Sequence, residues 1–344
     1  MAAGQGHNAR SADARQLKIR FDVDGSDTPQ PQDTMLPAAH LQSGPARHDK
    51  GLCFISFGSG SSGNCAYLGT PRGGILIDAG IKPPPRTNRK HKPREDDDVL
   101  DFNQAIALLG RNGVPADAIK GVLLTHAHQD HMRCLYPALN RCRCSVYCTM
   151  GVMSQMMRRS RISGRIHDYH VPIFKEIPFR ILDMEITAFE TCHDVKSVGF
   201  SIEYEGERFV VGSDMGSITE RAAYYMSRAN YLMIESNYDY SMLIHGDYPP
   251  MLKDRVLRHD GHLDNAEAAR FVADNYHDGM KHVFLSHLSK DNNTVEIALS
   301  TMRRALEDKG LSVGDASNAA DQRNRNVQIY ALPRYSASEW FVLA

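Results

Sequence analysis

No run of this chain is apolar for long enough to span a bilayer, so nothing in it reads as a helical membrane anchor and no membrane partner is expected. The first residues, Met1-Ala2-Ala3-Gly4-Gln5-Gly6-His7, lack the charged start and apolar core of a secretory signal. Excess positive charge is missing as well. With a net charge of −1 over 344 residues, any contact with nucleic acid must come from a local patch. Cysteine is sparse and unframed: seven, an odd number without regular spacing, exclude a disulfide scaffold and fit a reducing cytoplasm. Residues 1–50 are poor in aromatics and rich in scattered Gly, Pro, Gln and Asp. Such a segment cannot bury enough apolar surface to offset the entropy of ordering, and it is expected to be a disordered tail.

What is present begins near residue 51 and is expected to form a single domain to residue 344. Short β-like runs recur at 52–57, 65–68, 75–77, 121–124, 145–147, 180–182, 185–189, 199–204, 208–212, 231–235, 283–286 and 327–332. Helical patterns fall at 102–109, 265–275 and 294–308. Strands in two groups, each followed by helices, predict an α/β layered architecture with two sheets face to face. Residues 82–98 interrupt the pattern with Pro83-Pro84-Pro85, a basic cluster (Arg86, Arg89, Lys90, Lys92, Arg94) and an acidic one, and read as an exposed insertion.

The densest chemistry is Thr125-His126-Ala127-His128-Gln129-Asp130-His131, directly after the apolar run 121–124. Three imidazoles and a carboxylate within positions 126–131 answer no folding requirement. Neutral imidazole is the commonest metal ligand, and aspartate adds a hard anionic oxygen. So many ligands in one turn suit two adjacent ions better than one. Further ligand types stand where apolar strands end: Asp78 after 75–77, His193 after 187–189, Asp214 after 209–212 and His287 after 283–285. Side chains at strand ends on one sheet edge can meet in a common cleft.

These residues resemble a known superfamily. His126-x-His128-x-Asp130-His131 is similar to the H-x-H-x-D-H motif of the metallo-β-lactamase fold, and Asp78, His193, Asp214 and His287 follow in the order that fold expects. The resemblance spans about residues 52–335 and implies a four-layer αββα sandwich with metals at one rim. Ser59-Gly60-Ser61-Ser62-Gly63-Asn64-Cys65, Ile77-Asp78-Ala79-Gly80, Gly261-His262-Leu263-Asp264-Asn265 and His287-Leu288-Ser289-Lys290-Asp291-Asn292-Asn293 look like the bacterial YycJ/WalJ-type branch, and Gly246-Asp247-Tyr248-Pro249 with Leu252, Lys253, Arg255 and Val256 also resembles it. That likeness implies a metal-dependent exonuclease acting 5′ to 3′ on double-stranded DNA, a partner in DNA repair. It departs from the branch at Cys134 (commonly Gly), Ser197 (commonly Pro) and Tyr238 (commonly His).

By resemblance, one divalent ion takes His126, His128 and His193, the other takes Asp130, His131 and His287, and Asp214 bridges them. Asp78 is expected to orient an imidazole ligand. The ions would share a hydroxide that attacks phosphorus in line. Zinc or manganese suits the mixed shell, and iron is compatible. Ser59, Ser61, Ser62 and Asn64 in the Gly/Ser loop, with Ser286, Ser289, Asn292 and Asn293 around His287, are candidate phosphate-binding residues. His262 is the best additional imidazole for phosphate binding or proton donation, and Asp78, Asp130 and His262 are the candidate catalytic set beside the ligands. Arg141, Arg143, Arg158, Arg159, Arg161 and Arg165 can supply a polyanion track, and the methionines among them (150, 153, 156, 157) read as packing. Cys142, Cys144 and Cys148 lack the pairwise spacing of a structural zinc site. Two other readings stay open: a hydrolase of small cyclic or nucleoside phosphodiesters, thioesters or lactones, and a metal-binding regulatory subunit without turnover.

Overall fold

The computed structural model describes residues 51–84, 100–158, 164–315 and 325–343. The expected tail at 1–50 and the expected insertion from residue 85 onward lie outside the described residues.

Alternation at period two sets the first layers. In β1 (Leu52–Gly58), Cys53, Ile55 and Phe57 point to one side and Leu52 and Phe54 to the other. Both sides are buried, so the strand reads as a continuous apolar run. It pairs antiparallel with β2 (Cys65–Thr70), which pairs with β3 (Gly73–Ile77). Three parallel neighbours follow: β4 (Ile119–Leu123), β5 (Ser145–Thr149) and β6 (His170–Ile173).

The second sheet begins with the antiparallel strands β7 (Phe179–Ile181), β8 (Met184–Glu190), β9 (Val198–Tyr204) and β10 (Glu207–Gly212). From β10 it continues in parallel through β11 (Tyr231–Glu235), β12 (His282–Ser286) and, at the far edge, β14 (Val327–Ala331) with the short β13 (Val313–Gly314). The chain then crosses back: β15 (Phe341–Leu343) pairs with β1 and completes a seven-stranded first sheet against an eight-stranded second one. The pattern-based reading ended the strands at residue 332. Three residues are too few for an alternation to register, so β15 was not expected.

Three apolar clusters define four layers. Between the sheets lie Phe54, Phe200, Phe209 and Phe284, with the Phe54 ring centroid 4.9 Å from that of Phe209 and 4.8 Å from that of Phe284. Outside the first sheet pack α1 (Phe102–Arg111), α3 (Leu135–Cys142) and α4 (Met150–Arg158). The single turn α2 (Gln129–Met132) lies between α1 and α3 in sequence. Outside the second sheet pack α5 (Glu220–Met226), α8 (Asn265–Asp274) and α9 (Val295–Glu307). The shorter α6 (Tyr240–His245) and α7 (Pro250–Leu257) form a satellite cluster over Tyr238. This is the αββα sandwich that the sequence implied. Met153 and Met156 are buried in the α4 contact, as packing residues should be. Among the described residues, Cys142, Cys144 and Cys148 form no metal-holding group, and no helix is long and apolar enough to cross a membrane.

Helix ends are capped where the sequence allows. Asp101 accepts from the amides of Asn103 and Gln104 while the Gln104 side chain accepts from the Asp101 amide, a reciprocal cap on α1. Asp264 and Thr294 cap α8 and α9.

Candidate metal centre and cleft

The carboxyl ends of β3, β4, β10, β11 and β12 deliver Asp78, the 126–131 turn, Asp214, Glu235 and His287 to one rim. Three of these residues leave their strands through left-handed backbone: Asp78 at φ 58°, Asp214 at φ 48° and His287 at φ 55°. None is glycine, so each holds backbone strain of about 1–3 kcal/mol, the kind of cost that accumulates at working sites.

The histidine turn is held from below. The amides of Asn64 and Ala79 donate to the carbonyls of Asp130 (2.7 Å) and His131 (2.8 Å). Gly80 packs so tightly that a Cβ there would lie 1.6 Å from the Asp130 carbonyl oxygen. Asp78 works inside this cradle. It accepts from the Thr125 amide and hydroxyl, each at 2.8 Å, and from His131 Nδ1 at 2.7 Å. His131 therefore turns Nε2 toward the rim. Asp78 is a positioning residue, behind its imidazole and 3% exposed.

Two groups of ligand atoms emerge. His126 Nε2 and His193 Nε2 lie 3.1 and 3.3 Å from His128 Nδ1. Nitrogens bound tetrahedrally at about 2.0–2.1 Å stand roughly 3.3 Å apart, so this spacing fits a shared ion. The outer ring nitrogens are engaged: His126 Nδ1 with the Thr125 hydroxyl, His193 Nδ1 with the Gly261 carbonyl, and His128 Nε2 with Asp194 at 3.2 Å. In the second group, His131 Nε2 lies 3.6 Å from Asp130 Oδ2 and 3.4 Å from Asp214 Oδ2, and His287 Nε2 lies 3.6 Å from Asp130 Oδ2. His287 Nε2 is buried with no hydrogen-bond partner, as a nitrogen reserved for a cation would be. Asp214 Oδ2 is 3.9 Å from His126 Nε2 and so stands between the groups.

The electrostatics of the two groups differ. Burial, with neighbouring imidazoles, pushes His126 well below the usual histidine range and His128 down to about 4. In the second group burial acts the same way but is outweighed. Asp214, Asp130 and Glu235 raise His287 to about 10, and Asp214 and Asp78 raise His131. Asp214 is fully buried, yet His287 and His131 hold it well below the usual carboxylate range.

Glu235 was not foreseen as a site residue. It is fully buried at the end of β11, accepts from His262 Nδ1 (2.7 Å) and His287 Nδ1 (2.9 Å) on one oxygen, and from the Met215 amide (2.7 Å) on the other. Asp194 was missed too. The same signal that exposed Asp214, an acid following an apolar strand, marks Glu235.

The cleft above these atoms encloses about 310 Å³ and is lined by His128, Asp130, His193, Asp214, His262 and His287, with Ser61, Ser289 and α7 around them. Other candidates for phosphate contact sit elsewhere. Ser59 is buried, its hydroxyl accepting from the His287 amide. The Asn64 side chain braces Gly60 and the histidine turn, and Asn293 joins the carbonyls of Ser236 and Asn237. Ser286 and Asn292 are buried outside the lining, and the Ser62 carbonyl takes the Arg133 guanidinium. Hydroxyls and amides that read as a free cradle in the sequence are engaged in holding loops together or enclosed behind the wall; Ser61 and Ser289 remain at the surface of the cleft. Arg141, Arg143, Arg158 and Arg165 do not line it, and Arg159 and Arg161 lie outside the described residues. Tyr238 is buried against Leu243 and Val256, Cys134 is buried at the start of α3, and the Ser197 hydroxyl bonds Thr191.

A family model described as the β-lactamase superfamily domain matches residues 75–288, the span that carries all these ligands. The chain belongs to that superfamily. Within it, the exodeoxyribonuclease YycJ of Bacillus anthracis is 30% identical over 273 residues, covering 79% of this chain and 95% of the relative. The exodeoxyribonuclease WalJ of Streptococcus pneumoniae is 29% identical over 266 residues, covering 77% and 91%. The metallo-β-lactamase fold protein YhfI from Bacillus subtilis superposes with a TM-score of 0.58 at 14% identity, over 84% of this chain and 99% of that one, which speaks for the fold alone. The chain is thus a YycJ-type member of the superfamily and a metal-dependent hydrolase, with His/Asp clusters suited to holding metal ions.

Proposed function

We propose that the protein is a phosphodiester hydrolase with two divalent ions, zinc or manganese, and that it degrades double-stranded DNA exonucleolytically from 5′ ends in DNA repair. The observation that carries this reading is Asp214, standing between a three-histidine group and an Asp/His group at one rim. The likeness to the exodeoxyribonucleases YycJ and WalJ supports DNA as the substrate. The buried thiols fit a reducing compartment, the cytoplasm.

Ions held by these residues supply Lewis acidity and an activated water at neutral pH. The protein contributes the rest. Asp78 and the Gly261 carbonyl fix the tautomers of His131 and His193. His262 holds a proton for the leaving oxygen: Nδ1 donates to Glu235, Nε2 is left for the cleft, and Glu235 raises its affinity for the proton against the opposing effect of burial. Ser61 and Ser289 offer hydroxyls to the non-bridging oxygens.

Purified protein loaded with Mn²⁺ or Zn²⁺ is expected to shorten end-labelled duplexes, and Asp214→Ala to lose bound metal and cleavage together. Absence of cleavage beside an active control nuclease overturns the DNA reading; retained turnover in the variant overturns the bridging role. A second reading, hydrolysis of small phosphodiesters, is favoured by the modest cavity, near the lower bound of roughly 300 Å³ for small-ligand sites.

A further inference from the structure

We infer that the cleft admits one unpaired nucleotide at a strand end, gripped by the face of α7, and that Arg255 is the residue that selects it. This rests on the nuclease reading above and names the form of DNA that the site takes.

Leu252, Arg255 and Val256 share one face of α7 at spacings i, i+3 and i+4, and Tyr248 stands just before the helix. All four line the cleft. The wall is built rather than incidental: Val256 also packs on buried Tyr238 and Leu243, and the Tyr248 hydroxyl donates to Asp291 at 3.2 Å. Among the described residues, Arg255 is the one lysine or arginine in the lining. Its guanidinium donates to Asp194 Oδ2 at 2.8 Å, while Asp194 Oδ1 faces His128 Nε2 at 3.2 Å. The cation is therefore tethered beside the metal ligands, yet its side chain is 53% exposed and open to a second acceptor. A planar guanidinium matches a phosphate, and an aromatic and aliphatic wall matches the face of a base. A nucleotide carries both groups.

The cleft sets the number of nucleotides. At about 310 Å³ the cleft is the size of a small-ligand site, which suits a single nucleotide. A paired end must open before its terminal nucleotide can reach the ligands, and opening one base pair costs on the order of tenfold in population.

The test uses the full chain with Mn²⁺ and duplexes of one length and sequence. They differ only at the ends: fully paired G·C, two terminal mismatches at either 5′ or 3′ end, or closed by hairpins. Bis(p-nitrophenyl) phosphate serves as a parallel substrate. A mismatched end is expected to raise kcat/KM about tenfold or more over the paired end, and hairpin closure to abolish cleavage. Arg255→Ala is expected to raise KM for the mismatched duplex about tenfold with kcat within about twofold, and Arg255→Lys to recover part of the loss. A merely structural role would instead lower kcat and melting temperature together. Equal rates at paired and mismatched ends overturn the inference, as does an unchanged KM in a folded Arg255→Ala protein. Should that variant fail to fold, the series of ends on the unaltered protein decides. Turnover of the small diester without cleavage of any DNA end sinks the nuclease reading itself. Cleavage of every end at one rate leaves that reading standing and sinks this one.

Discussion

His287 and His126 face the same rim with opposite shifts in proton affinity, and that difference would order the uptake of the two proposed ions. His126 and His128 are neutral at pH 7 because burial lowers both, so an ion can bind these two imidazoles without displacing a proton from them. His287, raised to about 10 by Asp214 and its neighbours, carries a proton that the second ion must expel. Calorimetric titration in buffers of different ionisation enthalpy is expected to show proton release confined to the second binding event. Affinity for that ion should climb between about pH 6.5 and 10. The same proton has a sign in stability. A folded-state pKa above the unfolded value stabilises fully below about 6.5 and is lost as pH rises through about 10. The metal-free protein should therefore melt lower at pH 10 than at pH 7 by this group's contribution. Glu235 acts on the neighbouring imidazole. Glu235→Gln removes the charge that raises His262, so kcat should fall about 10²-fold. The alkaline limb of the pH–rate profile should move to lower pH, which steady-state assays across pH will show. The histidine turn was legible because nothing but coordination explains its density. Glu235 carries the same strand-end signal as Asp214, yet its role shows only once the fold brings His262 and His287 to it. Ser59 and Asn293 misled for the converse reason: a hydroxyl or amide in sequence does not disclose which backbone group will occupy it.

At the scale of elements, the rim depends on how closely the β3 turn approaches α2. Gly80→Ala would drive a methyl into the Asp130 carbonyl, with backbone on both sides and no flexible side chain to give way. The turn carrying Asp130 and His131 must shift. The expected outcome is a loss of bound metal together with about 1–3 kcal/mol of stability, read by metal analysis and denaturant titration. The major elements could be read from periodicity: β1 and β12 from apolar runs, α9 from its 3.6-residue spacing and its Thr294 cap. The C-terminal β15 could not, because its three residues acquire meaning only through pairing with Leu52, Cys53 and Phe54. Helices α6 and α7 were equally opaque. They bury one small cluster over Tyr238 and carry little amphipathic signal, yet α7 forms a wall of the cleft.

At the scale of the molecule, ligands come from both sheets: His126, His128, Asp130 and His131 after β4, and His193, Asp214 and His287 after strands of the other layer. Bound ions therefore stabilise the folded chain by mass action, by about 2.7 kcal/mol per site at a free concentration of a hundred times Kd. Removing metal with a chelator is expected to lower Tm by several degrees, at roughly 1–2 °C per kcal/mol, and re-addition of Mn²⁺ or Zn²⁺ to restore it in a concentration-dependent way. Scanning fluorimetry measures this directly. The crossover between β6 and β7 exposes Phe174 and Ile177 and contributes none of the ligands, so the chain can be cut there in thought. Each fragment would then carry a fraction of the donors and neither a complete set. Two separately expressed pieces split at this connection would rejoin through the shared core between the sheets and the β1–β15 pairing, and an ion that drew donors from both would tighten that complex, making the strength of reassembly a reporter of occupancy.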